Sequence, residues 1–173
     1  MARWAGLRLQ ETIRLTWRQV DLERRRIEII AHQDHYGEWT PKDEDKRTIP
    51  ICPELYELLS SSVDPTAQMV IAPGGVDVVN VWRDFGYLLK RAKVAWYSKP
   101  MHSLRKSCIT DWANGGVAPK SVQEWAGHAD IRTTMAYYAK VVDSEFEKIS
   151  GVTQKQEAGS KEHLEPASQD HAE

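Results

Sequence analysis

Residues 102–141, HSLRKSCITDWANGGVAPKSVQEWAGHADIRTTMAYYAKV, carry the turn signals that divide the C-terminal part of the chain into helices. Apolar positions recur at helical spacing between these signals. The first helix ends before Gly115, a second begins at Pro119 and ends at Gly127, and Asp130 can cap a third. The stretch therefore predicts three consecutive helices joined by short turns.

The part of the chain before this stretch mixes helical and strand signals. Apolar residues recur every four positions over about 8–18, which predicts a helix. Residues 27–30, 39–40 and 47–51 predict three short strands, and the polar residues 42–46 predict a hairpin tip. We therefore predict an α+β domain that is mainly helical and contains a small antiparallel three-stranded sheet.

Two further helices and a tail complete the prediction. Pro53 is well placed to start one helix, and apolar residues over 78–92 follow the helical period. Residues 142–150 keep an apolar stripe that could dock on this subunit or on a neighbour. The sequence after residue 150 is so polar that it cannot bury enough apolar surface to offset the entropy lost on ordering. We expect one domain over 1–150 and a disordered tail over 151–173.

Composition and charge set the outer limits on function. The chain has 173 residues, of which 41% are hydrophobic and 28% charged, with a net charge of −2. Eight acidic and three basic residues follow residue 142, which leaves the rest of the chain weakly basic at +3. No apolar run is long enough for a membrane span, and no export signal opens the chain. We expect a cytoplasmic protein in which Cys52 and Cys108 are free buried thiols.

His102 and Arg105 are the first pair of residues that could carry chemistry. On a helix their spacing places an imidazole and a guanidinium on one face, and a guanidinium can grip two phosphate oxygens at once. The simpler interpretation of the pair is an ordinary exposed start of a helix.

His128 and Tyr137 form a second candidate pair, nine residues apart. A phenol has a pKa near 10, so it needs cationic neighbours and a base to act as a nucleophile. Tyr138 is the alternative nucleophile, but side chains one helical step apart point in different directions. The simpler interpretation is that both tyrosines are half-buried aromatic residues.

Arg8 and Lys42 are candidates in the N-terminal half. Arg8 lies in GLRLQE, where Glu11 could orient it, although an arginine on such a helix is usually a surface residue. Lys42 lies at the predicted hairpin tip, where most lysines are simply solvated. A hairpin tip can also reach into a site and place an ammonium on a leaving group.

The order and setting of these residues resemble one known family. The six positions are Arg8, Lys42, His102, Arg105, His128 and Tyr137. Together they resemble the tyrosine recombinases, the phage integrase family. Residues 6–29, GLRLQETIRLTWRQVDLERRRIEI, and residues 102–141 are similar to the family's two catalytic segments, and the resemblance covers about 3–149.

The resemblance implies a site-specific DNA recombinase that uses no metal and no nucleotide cofactor. Tyr137 would attack the scissile phosphate of double-stranded DNA and form a 3′-phosphotyrosine. Arg8, Arg105 and His128 would stabilise the phosphorane, Lys42 would protonate the leaving 5′-oxygen, and His102 would accept or orient the phenol proton. The resemblance also implies a homo-tetramer on DNA, each subunit lending its C-terminal segment to a neighbour.

Three alternatives to an active recombinase are also compatible with parts of the sequence. The family normally carries a DNA-clamping domain ahead of this one, so the chain is also consistent with a truncated, non-catalytic DNA-binding remnant. Type IB topoisomerases share the chemistry without strand exchange between duplexes. A zinc pair at His32 and His35 beside Asp34 is a third hypothesis, although two further ligands with suitable spacing are missing from the pattern.

Overall fold

The computed structural model describes residues 1–42, 46–64, 66–71 and 78–151. Its helices are α1 (Ala2–Ala5), α2 (Leu9–Ile13), α3 (Pro53–Ser62), α4 (Val78–Arg91), α5 (Pro100–Asn114), α6 (Pro119–Ala126) and α7 (Ile131–Ser150). Its strands are β1 (Val20–Asp21), β2 (Arg26–Ile29), β3 (His32–Asp34), β4 (Gly37–Trp39) and β5 (Arg47–Pro50). Within the described ranges, no helix combines the length and apolar character needed to cross a membrane.

The predicted small three-stranded antiparallel sheet is confirmed, but one of its strands is a different one. The strand order is β1-β2-β5, with Ile27 paired to Val20 on one side and to Ile49 on the other. The predicted strand at 39–40 belongs instead to β4, which pairs only with β3 in a separate hairpin. The prediction missed β1 because two residues are too few to show an alternating pattern.

The predicted helix over 8–18 is shorter than expected, because α2 ends at Ile13. Beyond it the backbone bonds across the chain, since the carbonyl of Leu15 accepts from the N–H of Val70 at 2.9 Å. The N–H of Trp17 likewise donates to the carbonyl of Gln68 at 3.1 Å. Long-range backbone pairing at Leu15 and Trp17 thus replaces the α-helical bonds that the apolar spacing suggested, and a single 3₁₀ turn follows over Trp17–Gln19.

The three C-terminal helices follow the prediction closely. Gly127 ends α6 in the left-handed conformation, with φ of 63°, and the side chain of Asp130 accepts from the N–H of Arg132 at the start of α7. The last helix runs without a break to Ser150, so the apolar stripe over 142–150 is part of it.

Two apolar clusters form the core and meet at α5. The larger cluster joins the sheet to α1 and α3; its buried residues are Ala5, Leu7, Leu15, Ile27, Ile29, Ile49, Ile51, Leu55 and Leu59. The smaller one joins α5 to α6 through Ile109, Val122 and Ala126. Trp112 packs against both clusters and lies edge-on to Trp125, so it links them.

Several smaller predictions can be placed on this framework. Cys108 is buried and Cys52 partly buried, and both are free. Of the predicted hairpin tip, residues 43–45 lie outside the described ranges, as does the predicted tail apart from Gly151, which ends α7.

Candidate active site

Arg8 stands at the start of α2, where Glu11 holds it. Its backbone N–H donates to Glu11 Oε2 at 2.7 Å, and its Nη1 donates to Glu11 Oε1 at 3.0 Å. Its remaining terminal nitrogen, Nη2, donates to the carbonyl of Gly127. The side chain is 30% exposed, so the guanidinium is anchored while part of it faces solvent.

Arg105 is buried in α5 and is held by backbone carbonyls. Its Nη1 donates to the carbonyl of Gly6, and its Nη2 donates to the carbonyl of Ala126. Burial, and then the positive charge of Arg8, lower the pKa of Arg105 to about 10, so it remains a cation at neutral pH. Two guanidiniums are therefore fixed on consecutive carbonyls, those of Ala126 and Gly127.

His128 is the next residue after Ala126 and Gly127, whose carbonyls hold the two guanidiniums. Its Nδ1 lies 2.9 Å from the hydroxyl oxygen of Thr134, a fully buried side chain of α7. Desolvation, followed by the charges of the nearby arginines, lowers the pKa of His128 to about 4. The imidazole is thus neutral at neutral pH and serves as a hydrogen-bonding group instead of a charge.

His102 lies one turn before Arg105 on α5 and is largely exposed. Desolvation lowers its pKa, with further lowering by Lys106, Arg105 and Lys99, so the neutral form is favoured. A neutral imidazole can accept a proton, which is the chemistry expected of a base at this position.

A cavity of about 740 Å³ brings four of these side chains together. Arg8, His102, Arg105 and His128 all line it. The lining also includes Trp82, Trp96, Pro100 and Met101. The cavity thus combines two guanidiniums with two indole rings.

Tyr137 lies on the α7 side of this group and does not line the cavity. Its ring stacks on that of His128, with centroids 6.3 Å apart and planes 17° from parallel. Burial raises the pKa of Tyr137, and the charge of Arg105 opposes that rise. The hydroxyl of the neighbouring Tyr138 instead donates to the carbonyl of Val117, so it is engaged away from the arginines.

Lys42 is the predicted residue that the structure does not bring to this group. It is exposed, three residues after the end of β4, and lines neither the cavity of His102 nor the one on the other side of His128. Its ammonium would need to approach with the bound substrate.

Arg47 and Thr134 were missed by the sequence interpretation. Arg47 is 95% buried in its side chain, pairs with Glu11 at 2.6 Å and donates through Nε to the carbonyl of Trp125 at 3.0 Å. The alternation of β5, which buries Arg47 and Ile49 and exposes the residues between, is a signal that could have identified it. No pattern singled out Thr134.

Two of the three residues of the zinc hypothesis, His32 and Asp34, have other hydrogen-bond partners. Both ring nitrogens of His32 lie within 3.0 Å of backbone carbonyl oxygens, those of Ile30 and Arg14. The carboxylate of Asp34 accepts two hydrogen bonds from the Arg14 guanidinium. Over the described part of the chain, no three histidine, cysteine or acidic side chains are grouped for a metal ion.

Comparison with known proteins defines the class. Residues 1–144 match the Phage integrase family. The transposase of transposon Tn916 from Enterococcus faecalis is 30% identical over 161 residues, covering 78% of this chain and 39% of the relative. A XerC-like tyrosine recombinase from Caldanaerobacter subterraneus is 24% identical over 170 residues, covering 79% of this chain and 43% of that protein.

Solved structures give the same fold. The Tn1549 transposon integrase in complex with a circular intermediate DNA has a TM-score of 0.65 at 25% identity, covering 85% of this chain and 56% of that one. The XerA recombinase has a TM-score of 0.65 at 20% identity, covering 85% of this chain and 54% of that one. The fold is that of tyrosine recombinase catalytic domains.

The chain belongs to the phage integrase family, as the match over residues 1–144 shows. It spans less than half the length of the curated relatives that it matches.

Proposed function

We propose that this chain is the catalytic domain, over residues 1–150, of a site-specific DNA recombinase that cuts and rejoins strands through a phosphotyrosine at Tyr137. The observation that carries the proposal is the anchoring of Arg8 and Arg105 on the consecutive carbonyls of Gly127 and Ala126. The guanidiniums of Arg8, Arg105 and Arg47 repel one another, and Glu11 supplies only one negative charge among them. A phosphodiester would offset the positive charge that remains.

The residues supply the stabilisation that a phosphorane needs. Charge grows on its non-bridging oxygens, and donors already fixed in place stabilise it without reorganisation. Arg8 and Arg105 provide guanidinium donors. If the Thr134 hydroxyl donates to Nδ1 of His128, the imidazole carries its proton on Nε2 and provides a third donor.

The proton transfers follow from the remaining groups. The Tyr137 oxygen bonds to phosphorus while its proton passes to His102, whose lowered pKa keeps it neutral and able to accept. The bond from phosphorus to the 5′-oxygen breaks, and Lys42 protonates that oxygen when bound DNA meets the segment that follows β4. The free 5′-hydroxyl of a partner strand then attacks the phosphotyrosine, which reverses the same steps.

Double-stranded DNA is the proposed substrate, and the cytoplasm is the proposed compartment because this substrate resides there in bacteria. The Tn1549 integrase, similar in fold, is bound to a circular intermediate DNA. We infer a homo-tetramer on DNA from the far end of α7, where Val142, Phe146 and Ile149 are 62%, 56% and 88% exposed. An apolar stripe of this kind suits a neighbouring subunit.

A library of nicked duplexes with randomised arms tests the proposal without knowledge of the target sequence. The nick releases a short strand after cleavage and so traps the covalent complex. We expect a denaturation-resistant adduct whose peptide maps to Tyr137. The adduct should disappear in Tyr137→Phe and persist in Tyr138→Phe, the matched control, whose hydroxyl contacts Val117.

The same experiment separates the alternative. DNA retention on a gel with no adduct from the wild-type chain would contradict strand transfer and leave a DNA-binding remnant. An adduct that maps to Tyr138 would show that Tyr137 is not the nucleophile.

A further inference from the structure

Arg47 is a charged residue at an inward-facing position of a strand. In β5 the side chains of Arg47 and Ile49 are buried, while those of Thr48 and Pro50 are exposed. Burying a guanidinium is unfavourable unless it is paired and hydrogen-bonded. The partners of Arg47 therefore indicate what its burial achieves.

The guanidinium of Arg47 joins two parts of the active site. Its Nη2 donates to Glu11 Oε2 at 2.6 Å, and its Nε donates to the carbonyl of Trp125 at 3.0 Å. Its plane also lies against Gly127, where an added Cβ would stand 3.1 Å from Arg47 Cζ. One rigid group thus contacts α2, the end of α6 and the turn before His128.

These contacts close a ring. Glu11 uses the same Oε2 to accept from the backbone N–H of Arg8, and its Oε1 accepts from Arg8 Nη1. Arg8 in turn donates to the carbonyl of Gly127, and the guanidinium of Arg47 packs on the same glycine. The side chains of Glu11 and Arg47, together with the turn at Gly127, therefore fix the positions of both Arg8 and His128.

The ring is also connected to the segment that carries Lys42. Arg47 is the first residue of β5, only five residues after Lys42. A displacement of this strand would move the guanidinium relative to Glu11 and Gly127.

We propose that Arg47 is a positioning residue, which holds Arg8 and His128 in register by clamping Glu11 to the turn at Gly127. Arg47 is assigned no contact with the phosphate, because it does not line the cavity that Arg8, His102, Arg105 and His128 share. The inference rests on the proposed function for its catalytic consequence. Its geometric content, the register of two side chains, can be measured without DNA.

Arg47→Lys is the decisive variant because it keeps the charge and removes the planar fork. An ammonium can pair with Glu11, but it cannot also donate to Trp125 and lie flat on Gly127. Ile49→Val is the matched control, since it alters the next inward-facing residue of β5 without touching Glu11 or the turn. Melting temperatures of the variants show whether both are folded.

Two readouts separate positioning from general stability. The first is the rate of adduct formation on the nicked-duplex library at saturating DNA. A misplaced donor slows chemistry while leaving binding intact, so Arg47→Lys should be slower by roughly tenfold or more, with an unchanged DNA affinity. Ile49→Val should stay close to the wild-type rate even where its melting temperature falls.

The second readout is NMR of the His128 ring in the protein alone, which follows its titration and its NOEs to Tyr137 and Thr134. Because the charge of Arg47 itself contributes to the lowered pKa of His128, a changed midpoint reports a moved ring when these NOEs change with it. We expect a shift in Arg47→Lys and none in Ile49→Val. If Arg47→Lys does not fold, Gly127→Ala disturbs the contact between Arg47 and the turn by adding a methyl group at Gly127. This variant should also slow adduct formation.

The outcomes are distinct. A variant Arg47→Lys that cleaves at the wild-type rate with an unmoved His128 titration would overturn the inference. A wild-type chain that forms no adduct would contradict the proposed function. In that case a shift of His128 in Arg47→Lys, absent from Ile49→Val, would still support the positioning role.

Discussion

The turn before His128 and the periphery of the site are built in opposite ways. At the turn, the carbonyls of Ala126 and Gly127 each hold a guanidinium, and a third packs on Gly127 itself. At the periphery, Lys42 and the last turns of α7 present their side chains to solvent.

This difference separates two tasks. Groups that stabilise developing charge act best when they are fixed beforehand, because no reorganisation is then needed during the reaction. Groups that deliver a proton or contact another subunit act only once the complex has formed. Rigid anchoring of the first set and exposure of the second therefore suit a site that DNA completes.

The strongest test of the anchored region is Arg105→Ala. It removes two donors and leaves the carbonyls of Gly6 and Ala126 without their partner. We expect the barrier to cleavage to rise by about 3 to 4 kcal/mol, which is roughly a hundredfold or more in rate. Single-turnover adduct formation measures this. Lys106→Ala, the exposed neighbour on α5, is the control, and equal losses in both variants would contradict the comparison.

The pH dependence of stability tests how far His128 belongs to the anchored region. Its pKa is about 4 in the folded chain against 6.5 for the ordinary group, so between these values the unfolded state binds more protons. Between pH 4 and pH 6.5 the free energy of unfolding therefore rises with pH. The contribution of His128 to stability is lost as the pH falls from about 6.5 towards 4. We expect an effect on the order of 2 kcal/mol after allowing for solvent around the half-buried ring.

Urea unfolding of the wild type and of His128→Gln between pH 4.5 and 7 measures this difference. The variant should show a flatter dependence, and its remaining slope gives the contribution of the other groups, including His102. Parallel curves for the two proteins would show that His128 titrates normally and is not held among the arginines.

Two glycines with positive φ separate backbone strain from the contact with Arg47. Gly127 has φ of 63° with the Arg47 guanidinium beside it, whereas Gly116 has φ of 74° with nothing within 4 Å of an added Cβ. Both alanine variants carry the left-handed penalty of about 1 to 2 kcal/mol. We expect Gly127→Ala to lose more stability in chemical unfolding, and equal losses would show that the turn can yield.

The smallest effect is expected at the far end of α7. Phe146 is 56% exposed, so Phe146→Ser should change the stability of the isolated chain by no more than about 0.5 kcal/mol. If this end docks on a neighbour, the same variant should weaken assembly on DNA, as followed by sedimentation. A large loss of monomer stability would place Phe146 in this subunit's own core.

Much of the fold was predictable because its signals are local. The helices after Pro53, Pro119 and Asp130 begin where the sequence indicates, since caps and prolines act within one turn. The early helix was predicted too long because the backbone at Leu15 bonds to Val70, and apolar spacing carries no information about such a partner.

The residues of the site likewise fall into those that the sequence indicates and those that only the structure reveals. The types and order of its residues, including Arg8, Arg105 and Tyr137, could be proposed from motifs alone, and their catalytic roles remain predictions. Thr134 could not, because its importance lies in a contact with His128 on a neighbouring element. For Arg47, the alternation of β5 indicates burial but not its pairing with Glu11, which is 36 residues away.

Amino-acid order alone was enough to predict most of the helices and a small sheet, and to propose six candidate positions, because periodicity, capping and motif spacing are properties of short segments. Folding was needed to show that Arg8 and Arg105 rest on neighbouring carbonyls, that the Tyr138 hydroxyl is engaged while Tyr137 stacks on His128, and that Lys42 stands apart. These facts depend on contacts between elements, which arise from packing and have no local signature; the contact from Arg8 to Gly127 spans 119 residues.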